Sequence, residues 1–316
     1  MSGVFQPAIV VDGLTKNFGT LRAVDHLSFE VRAGEIFGLV GPDGAGKTTT
    51  LRMLAGVMPP DEGSAHVADS DVVRDPEGAK RHLSYMPQRF GLYEDLTVDE
   101  NIAFYGDLFG VRKTERGQRS IQLLQAAGMT EFRSRLAGKL SGGMKQKLGL
   151  VCALIHRPKV VLLDEPTTGV DPVSRRDFWR ILYELIAEGV TILTSTAYLD
   201  EAERCHRVAL LHQGKLLFCD TPGALESSFR KGVLSIPSTD ARRVREQLEH
   251  ASGISSIVLT GDNVHLVVDD AAGRIPELEC VLRQAAVPFD GIRRVKPTIE
   301  DLFVDAVTNQ STGERA

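Results

Sequence analysis

Between an apolar stretch and a helical pattern, the chain reads Gly41-Pro42-Asp43-Gly44-Ala45-Gly46-Lys47-Thr48. This matches the spacing G-x-x-x-x-G-K-[ST], in which glycines let the backbone curl and point consecutive N–H groups at phosphate oxygens. The N-terminus of the following helix adds the positive end of a dipole. In this motif Lys47 reaches the β- and γ-phosphates, and the Thr48 hydroxyl is a ligand for Mg²⁺. A chance glycine turn is the alternative, but the strand–turn–helix context favours a phosphate-binding loop.

A second polar site follows another apolar run. Residues 160–163 read Val-Val-Leu-Leu and lead into Asp164 and Glu165. An acid pair after a strand is common by itself, but here it follows a phosphate loop by about 120 residues. In that context Asp164 is suited to hold Mg²⁺ through its water shell, and Glu165 to polarise an attacking water.

Short β-rich runs alternate with helical patterns from residue 1 to about residue 225, which favours an α/β fold with a mainly parallel sheet. The predicted buried strands are residues 35–40, 159–163 and 190–193. A helix should begin at Asp171-Pro172, with the Asp as N-cap and the Pro in the first helical position.

Residues 95 to about 155 are helical throughout in pattern. Thr97-Val98-Asp99-Glu100 forms a capping box, and an apolar stripe follows through Ile102, Tyr105 and Phe109. The methionine and aromatic positions here are typical of core packing rather than of a cofactor site. We therefore expect a helical insertion in the α/β core.

From about residue 231 the pattern changes to β-α-β-β-α-β, followed by a terminal helix. Gly261-Asp262 separates two strand-like runs and predicts a two-residue hairpin. The order of elements is ferredoxin-like in outline. We predict a small α+β domain over residues 230–308, with a disordered tail at 309–316.

Composition excludes some classes of protein. With 316 residues, 42% of them hydrophobic, the chain is long enough for one large and one small domain with buried cores. A net charge of -5 disfavours nucleic acid as a partner, because phosphate contacts need a concentrated basic surface. Basic pairs such as Arg242-Arg243 and Arg293-Arg294 are short and typical of solvated faces.

The four cysteines have neither paired metal spacing nor a disulfide framework, which fits a reducing cytoplasm. Cys152, within the apolar stretch 148–155, is predicted to lie in the core. The N-terminus lacks the pattern of a signal peptide, and no run approaches the ~18 apolar residues that span a bilayer. If this chain serves a membrane process, we expect another chain to cross the membrane.

Leu140-Ser141-Gly142-Gly143-Met144-Lys145-Gln146 supplies a third motif. It offers a Ser hydroxyl and helix-terminal N–H groups to an anion, although by itself it could be a flexible linker. In the order phosphate loop, LSGG, Asp-Glu, it resembles the signature of ATP-binding cassette (ABC) ATPases. The resemblance implies a P-loop NTPase fold with a RecA-like core in residues 1–229, a helical subdomain near 95–155, and a head-to-tail dimer with two ATPs at its interface.

Further matches to the ABC family cover residues 8 to about 225. Phe18 corresponds to the aromatic that stacks on adenine, although a core aromatic is the alternative. Gln88, in Tyr-Met-Pro-Gln, corresponds to the Q-loop glutamine, and residues 90–101 to the region that meets the membrane partner. Gly169-Val170-Asp171-Pro172 corresponds to the D-loop at the other subunit, a role compatible with the N-cap.

The resemblance assigns roles to individual positions of this chain. Those implied in catalysis are Glu165, Lys47 and Gln88. Those implied in binding Mg²⁺ are Thr48, Gln88 and Asp164. Those implied in binding ATP are Phe18, Gly41, Pro42, Asp43, Gly44, Ala45, Gly46, Lys47, Thr48, Thr49, Gln88, Asp164, Ser141, Gly142 and Gly143.

Within the family, Tyr198-Leu-Asp-Glu-Ala-Glu203 and the run Gly34–Pro42 resemble the ABC-2 export branch of the daunorubicin-resistance type. Pro297-Thr-Ile-Glu-Asp-Leu-Phe303 is similar to the C-terminal extension of that branch. The whole chain resembles the first cassette of tandem-cassette multidrug exporter ATPases. This implies export of drugs or other amphipathic small molecules through a separate integral-membrane permease, with this subunit on the cytoplasmic face of the membrane.

Two positions depart from the family pattern. Asp43 stands where Asn is common, which places negative charge near the phosphates and predicts a modest effect on affinity. Ala197 stands where the family carries the switch histidine that contacts the γ-phosphate, and neither His206 nor His212 occupies that motif position. Hydrolysis at this subunit's own site is therefore in question although Glu165 is present.

The leading interpretation is the ATPase subunit of an ABC-2-type exporter that works with a second cassette, identical or different. One alternative is an ABC ATPase of translation or DNA repair, but this chain has a single cassette, about 100 residues between phosphate loop and signature, and an acidic balance. Another is a regulatory module that binds ATP and barely hydrolyses it, which Ala197 keeps open.

Overall fold

The computed structural model describes residues 7–313, and the side chains of residues 7–308. The chain divides into two compact units, the first ending at Cys219 and the second beginning at Asp220. We describe each unit by itself.

Strands and helices alternate along most of the described chain. The strands are β1 (Pro7–Phe18), β2 (Leu21–Arg32), β3 (Ile36–Val40), β4 (Glu62–Val67), β5 (Ser70–Asp71), β6 (Leu83–Met86), β7 (Val160–Asp164), β8 (Thr191–Thr196), β9 (Arg207–His212), β10 (Lys215–Asp220), β11 (Gly232–Pro237), β12 (Ile254–Thr260), β13 (Asn263–Val268) and β14 (Arg293–Val295). The helices are α1 (Lys47–Leu54), α2 (Pro76–His82), α3 (Val98–Leu108), α4 (Lys113–Ala126), α5 (Gly142–Leu154), α6 (Pro172–Ala187), α7 (Leu199–Ala202), α8 (Pro222–Ser228), α9 (Ala241–Leu248), α10 (Ala271–Gln284) and α11 (Ile299–Gly313).

A six-stranded sheet in the order β10-β9-β3-β8-β7-β6 forms the centre of the first unit. The pairs from β9 through β3, β8 and β7 to β6 are parallel, as predicted. All residues of β3, β7 and β8 are buried. Helices such as α6 and α7 pack on these strands, and residues of the strands also share one core with β1, β2 and β4, where Phe29 stacks on Phe37. Because the strands are parallel, their carboxyl ends meet at one edge, which is where α/β sheets place their ligands.

A separate four-stranded antiparallel sheet, β2-β1-β4-β5, also lies in the first unit, and the prediction of a mainly parallel sheet missed it. Its first hairpin pairs Phe18 with Leu21 across a two-residue turn, and Gly19 in that turn has a φ of +60°. Adjacent antiparallel strands need only such a short connection, whereas parallel ones need a crossover. The Gly19 turn was the sequence signal for this hairpin.

In the range predicted as a helical insertion, near residues 95–155, the chain forms α3, α4 and α5 between the neighbouring strands β6 and β7. Thr97 caps α3 by accepting from the Glu100 N–H, and the Glu100 carboxylate accepts from the Thr97 N–H. Ile102 is buried as predicted, whereas Phe109 is 42% exposed and stacks on His156.

The second unit contains β11, α9, β12, β13, α10 and β14 in the predicted β-α-β-β-α-β order, with α11 after them. Its antiparallel sheet runs β12-β13-β11-β14. Gly261 and Asp262 join β12 to β13, and Thr260 pairs with Asn263, which confirms the predicted hairpin. Leu266 of β13 and Leu278 of α10 belong to one buried apolar core of this unit.

Two predicted boundaries need correction. The units divide between Cys219 and Asp220 rather than at residues 229/230, because α8 packs against α11 and so belongs to the second unit. Residues 309–313 of the predicted disordered tail belong to α11 instead. Residues 314–316 lie outside the described part of the chain.

Cys152 and Cys205 are buried, and all four cysteines are free thiols, which confirms Cys152 as a core residue. Burial raises the pKa of the Cys152 thiol well above its ordinary value. Within residues 7–313, no helix has both the length and the apolar character needed to cross a bilayer.

Candidate functional site

The phosphate loop joins the carboxyl end of β3 to the start of α1, and two of its glycines are required by close packing. A β-carbon at Gly41 would collide with the carbonyl oxygen of Leu211, and one at Gly46 with that of Ala23. Gly46 also has a φ of +98°, a conformation that side chains disfavour. These glycines allow the loop to curl as the motif predicts.

Lys47 lies inside this curl. Its side chain is only 4% exposed, and its ammonium donates to the carbonyl oxygens of Gly41 at 2.8 Å and Pro42 at 3.0 Å. The third neighbour is Glu165, whose Oε1 lies 3.1 Å from Nζ. The Lys47 ammonium is thus held at the point where β3 and β7 both end.

Asp164 is buried and accepts three hydrogen bonds from three different elements. Its Oδ1 accepts from Thr48 Oγ1 at 2.9 Å and from Ser195 Oγ at 2.8 Å, and its Oδ2 accepts from the Tyr85 hydroxyl at 3.2 Å. These bonds hold the carboxylate beside the Thr48 hydroxyl, so two of the three predicted Mg²⁺ ligands meet, while the side-chain amide of the third, Gln88, donates to Glu165.

Glu165 has a φ of +47°, which is uncommon for a residue with a β-carbon. Its N–H donates to Ser195 Oγ at 2.9 Å, which helps to hold this conformation. The Oε2 atom accepts from Gln88 Nε2 at 3.2 Å. The carboxylate therefore lies between Lys47 and Gln88, the other two predicted catalytic residues.

A cavity of about 440 Å³ opens in front of these groups. It is lined by Phe18, Leu21, Ala23, Asp43, Gly44, Ala45, Gly46, Lys47, Thr48, Thr49, Gln88 and Glu165. Phe18 is 46% exposed, so it presents an aromatic surface rather than packing in the core. The structure thus brings one aromatic side chain, the phosphate loop and the acidic site together around one space.

The signature residues lie elsewhere and do not line this cavity. Ser141 caps α5, its hydroxyl accepting from the Met144 N–H at 3.3 Å. Ser141 and Gly142 are exposed, whereas Gly143 is buried against α6, where an added β-carbon would lie 2.5 Å from Ser174 Oγ. Ser141, Gly142 and Gly143 were predicted to bind ATP, but within one chain they lie apart from the phosphate loop.

Asp171 caps α6 as predicted, accepting from the Val173 and Ser174 N–H groups. Ala197 follows β8 directly and is exposed, and the preceding residue, Thr196, accepts a hydrogen bond from the Gly41 N–H at 3.3 Å. Position 197 therefore lies next to the phosphate loop, but its methyl group cannot donate a hydrogen bond.

Two residues of the site escaped the sequence analysis. Ser195 bonds both Asp164 and the Glu165 N–H, and Tyr85 donates to Asp164. Burial and the nearby Asp164 charge raise the pKa of Tyr85 to about 12, so its hydroxyl remains a donor at neutral pH. Their only signal was position, since both lie at or near the carboxyl ends of strands that flank β7.

This fold and site define a nucleotide-binding protein with a phosphate loop, two acids at the end of the adjacent strand, and a helical insertion. The ABC transporter family model matches residues 24–168. A daunorubicin/doxorubicin resistance ATP-binding protein of Streptomyces peucetius is 39% identical over 236 residues, which cover 74% of this chain and 72% of that protein. The chain belongs to the ABC transporter family.

Further comparisons agree. A probable multidrug ABC transporter ATP-binding protein of Escherichia coli is 43% identical over 310 residues, 97% of this chain. The chain spans about half the length of that relative, since the match covers 53% of it. A solved ATP-binding subunit of an ABC transporter superposes with a TM-score of 0.64 at 30% identity, covering 70% of this chain and 93% of its own.

Proposed function

We propose that this chain hydrolyses MgATP and thereby drives export of a solute through a separate membrane permease. The observation that supports it best is the position of Glu165, whose carboxylate lies 3.1 Å from Lys47 and 3.2 Å from Gln88 at the mouth of the phosphate loop. A carboxylate there can accept a proton from water that attacks the terminal phosphate.

Each residue has a separate task in this proposal. Backbone N–H groups of the loop and the Lys47 ammonium stabilise the negative charge that spreads over the phosphate oxygens in the transition state. Glu165 orients and deprotonates the attacking water, and Gln88 holds Glu165 on its free side. Phe18 offers a surface on which the adenine ring can stack.

The residues present also fit Mg²⁺. Thr48 Oγ1 and Asp164 Oδ1 lie 2.9 Å apart, and hydroxyl and carboxylate oxygens are the few hard ligands that Mg²⁺ takes beside water and phosphate. Bound there, the ion would neutralise charge on the transferring phosphate. Thr48 and Asp164 would hold it, while Ser195 and Tyr85 fix the carboxylate.

We further propose that a second cassette completes the site. Ser141 and Gly142 lie at the N-terminus of α5, exposed and outside the cavity, although such helix ends favour anions. A head-to-tail partner would bring its own signature to this phosphate loop. Whether that partner is identical is tested below with Ala197.

The names of relatives guide the choice of cargo and partner. They include a probable multidrug transporter subunit, daunorubicin/doxorubicin resistance proteins and Nod factor export proteins. These names refer to multidrug transport, drug resistance and export. We propose a drug or another amphipathic small molecule as the cargo, an ABC-2-type permease, and a location on the cytoplasmic face of the membrane.

A second candidate is a regulatory module that binds ATP and hydrolyses it slowly. The exposed methyl group of Ala197 favours it, because no hydrogen-bond donor reaches the γ-phosphate from that position. Both candidates share the binding site and differ only in turnover.

Substitution of Lys47 and Glu165 tests the proposed chemistry. Lys47→Ala should weaken MgATP binding about 100-fold or more, because charge-assisted hydrogen bonds contribute about 1.5–3 kcal/mol each. Glu165→Gln should retain binding and lower turnover roughly 10²–10⁴-fold, the usual contribution of a general base. Binding is measured with a fluorescent ATP analogue and turnover by phosphate release.

Glu131→Gln, an exposed carboxylate outside the cavity, is the matched control and should leave both quantities unchanged. Wild-type turnover in Glu165→Gln would show that the base is a different group. Turnover too slow to measure in the wild type, together with tight binding, would favour the regulatory module.

A further inference from the structure

A second cavity, of about 320 Å³, lies in the first unit at the opposite end of the parallel sheet from the phosphate loop. It is lined by Arg119 of α4, by Leu154 at the end of α5 with residues 157–159 of the following turn, and by residues 188–190 between α6 and β8. Asp164 lies five steps along the strand from Lys159, or about 16 Å at the usual rise of a strand. The cavity is therefore separate from the nucleotide site.

The charges around this cavity are unbalanced. Arg119, Arg157 and Lys159 line it, and Glu188 is the one acidic residue among its lining residues. Arg157 and Lys159 are exposed, and neither forms an ion pair within the part of the chain that the structure describes. The C-terminal ends of α5 and α6 add roughly half a negative charge each, which leaves an excess of about one positive charge.

Arg119 has an incomplete set of partners. Its residue is 8% exposed, and Nη2 donates to Glu188 Oε2 at 3.2 Å, while the adjacent Nε–H has no acceptor among the described residues. Nε and Nη2 form one edge of the guanidinium, which matches two oxygens of a carboxylate or phosphate. Glu188 uses half of this edge, and its own side chain is 54% exposed and able to move away.

We propose that this cavity binds a small phosphate-bearing anion, held by the Nε/Nη2 edge of Arg119 and by the side chains of Arg157 and Lys159. Two oxygens on one phosphorus satisfy the Arg119 edge, and the remaining charge meets the two unpaired cations. Because Arg119 belongs to the helical insertion and Arg157 and Lys159 precede β7, the anion bridges the insertion and the sheet. This inference does not depend on ATP hydrolysis.

Cations at the C-terminal ends of helices also stabilise the helix dipole. Helix-end stabilisation alone would require neither a cavity nor a guanidinium edge with one donor left unpaired. It predicts that anions change the stability of the protein only through ionic strength. The two explanations therefore differ in a measurable way.

The probe is inorganic phosphate, added to the full chain with Mg²⁺ and a saturating non-hydrolysable ATP analogue, so that the phosphate loop is filled. Thermal unfolding is followed against phosphate concentration, with chloride replacing it at constant ionic strength. Ligand binding to the folded state raises the midpoint in proportion to ln(1 + [L]/Kd). We expect a saturable rise with phosphate and a smaller one with chloride.

Arg157→Gln with Lys159→Gln should weaken this phosphate response about threefold or more, and Glu188→Gln should strengthen it by removing the competing carboxylate. Glutamine keeps a β-carbon at Arg157, whose φ is +57°, so the strain of that turn is unchanged. The matched control, Arg242→Gln with Arg245→Gln on α9, removes the same charge from two exposed positions of the second unit.

Equal responses in the wild type, the cavity variants and the control would overturn the proposal and leave only the helix-end role. A phosphate monoester can also be a lipid headgroup, so vesicles with and without phosphatidic acid form a second arm. Vesicle binding that depends on Arg157 and Lys159 without any response to free phosphate would overturn the small-anion assignment. Binding of the ATP analogue is measured separately from the phosphate response. If the analogue does not bind, that result counts against the proposed function and not against the anion site.

Discussion

Ser195 shows how one hydroxyl organises two acidic residues. It donates to Asp164 Oδ1 at 2.8 Å and accepts from the Glu165 N–H at 2.9 Å. The first bond holds Asp164 beside Thr48, and the second supports the positive φ of Glu165. The orientation of the proposed base therefore depends on a residue from the neighbouring strand β8.

We propose that Ala197 limits how fast this chain hydrolyses ATP on its own. A histidine there would donate a hydrogen bond to the γ-phosphate, and loss of one such donor typically costs about 2.7–4 kcal/mol, or roughly 10²–10³ in rate. We expect the wild-type chain to hydrolyse ATP slowly and Ala197→His to raise turnover. Steady-state ATPase activity of the purified chain measures both.

If this chain pairs with a cassette that has the switch histidine, the pair would hydrolyse ATP repeatedly at one site and mostly hold ATP bound at the other. Brisk wild-type turnover that Ala197→His leaves unchanged would mean that another group fills this role. The idea of an asymmetric pair would then lose its basis.

At the scale of elements, the motif Pro297–Phe303 has a structural role in the second unit. Thr298 and Asp301 cap α11: the Asp301 carboxylate accepts from the Thr298 N–H and hydroxyl, and Thr298 Oγ1 accepts from the Asp301 N–H. Asp301 is fully buried and also lies 3.2 Å from Nδ1 of His265 on β13. This pair fastens the start of α11 to the sheet.

The His265–Asp301 pair predicts a pH dependence. The hydrogen bond to Asp301 raises the pKa of His265, so its stabilising contribution is complete below the ordinary value of 6.5 and is lost as the pH rises through the higher folded value. Burial acts to raise the pKa of Asp301, but the bonds from His265 and Thr298 outweigh it and lower that pKa. Asp301 therefore makes its full contribution to stability above its ordinary pKa of 3.8. That contribution is lost only as the pH falls through the lower pKa of the folded state.

We expect amide protons of α11 to exchange more slowly at about pH 5.5 than at about pH 9, after correction for intrinsic rates, by about 1.5–3 kcal/mol of opening free energy. His265→Gln should remove this difference. The pKa of Glu300 is raised by burial and by Asp301 and lowered by His265, so Glu300→Gln made in both proteins removes its contribution from the comparison. An unchanged difference in His265→Gln would exclude the pair as its source.

At the scale of the whole molecule, the proposed chemistry lies entirely in the first unit. The phosphate loop, Gln88, the signature and the acidic pair all precede Asp220, and the second unit has an apolar core of its own. We propose that the second unit serves assembly rather than catalysis.

A chain that ends at Asp220 tests this division. It keeps β10 in the six-stranded sheet, and we expect it to bind ATP like the full chain but to pair less well with itself or its permease. A chain that ends at Phe229 is a useful comparison, because it keeps α8 and exposes Leu225, which is buried in the full chain. Analytical ultracentrifugation measures pairing, and loss of nucleotide binding in a folded Asp220 chain would contradict the assignment.

The sequence by itself determined what depends on neighbouring residues. The glycine spacing predicted the curl around Lys47, Asp171-Pro172 predicted the start of α6, and Gly261-Asp262 predicted a hairpin, because steric freedom and capping are local properties. The resemblance to the ABC family implied that Lys47, Gln88 and Glu165 act together.

Only the tertiary structure decided what depends on contacts between distant segments. Ser195 and Tyr85 joined the acidic site because parallel strands bring their carboxyl ends together, a neighbour relation that no local pattern encodes. The boundary at Cys219/Asp220 depended on packing of α8 against α11, and the antiparallel sheet on the pairing of β1 with β4. The cavity beside Arg119 likewise exists because α4, the connection from α5 to β7 and the connection from α6 to β8 meet at the amino end of β7, although they are far apart in sequence.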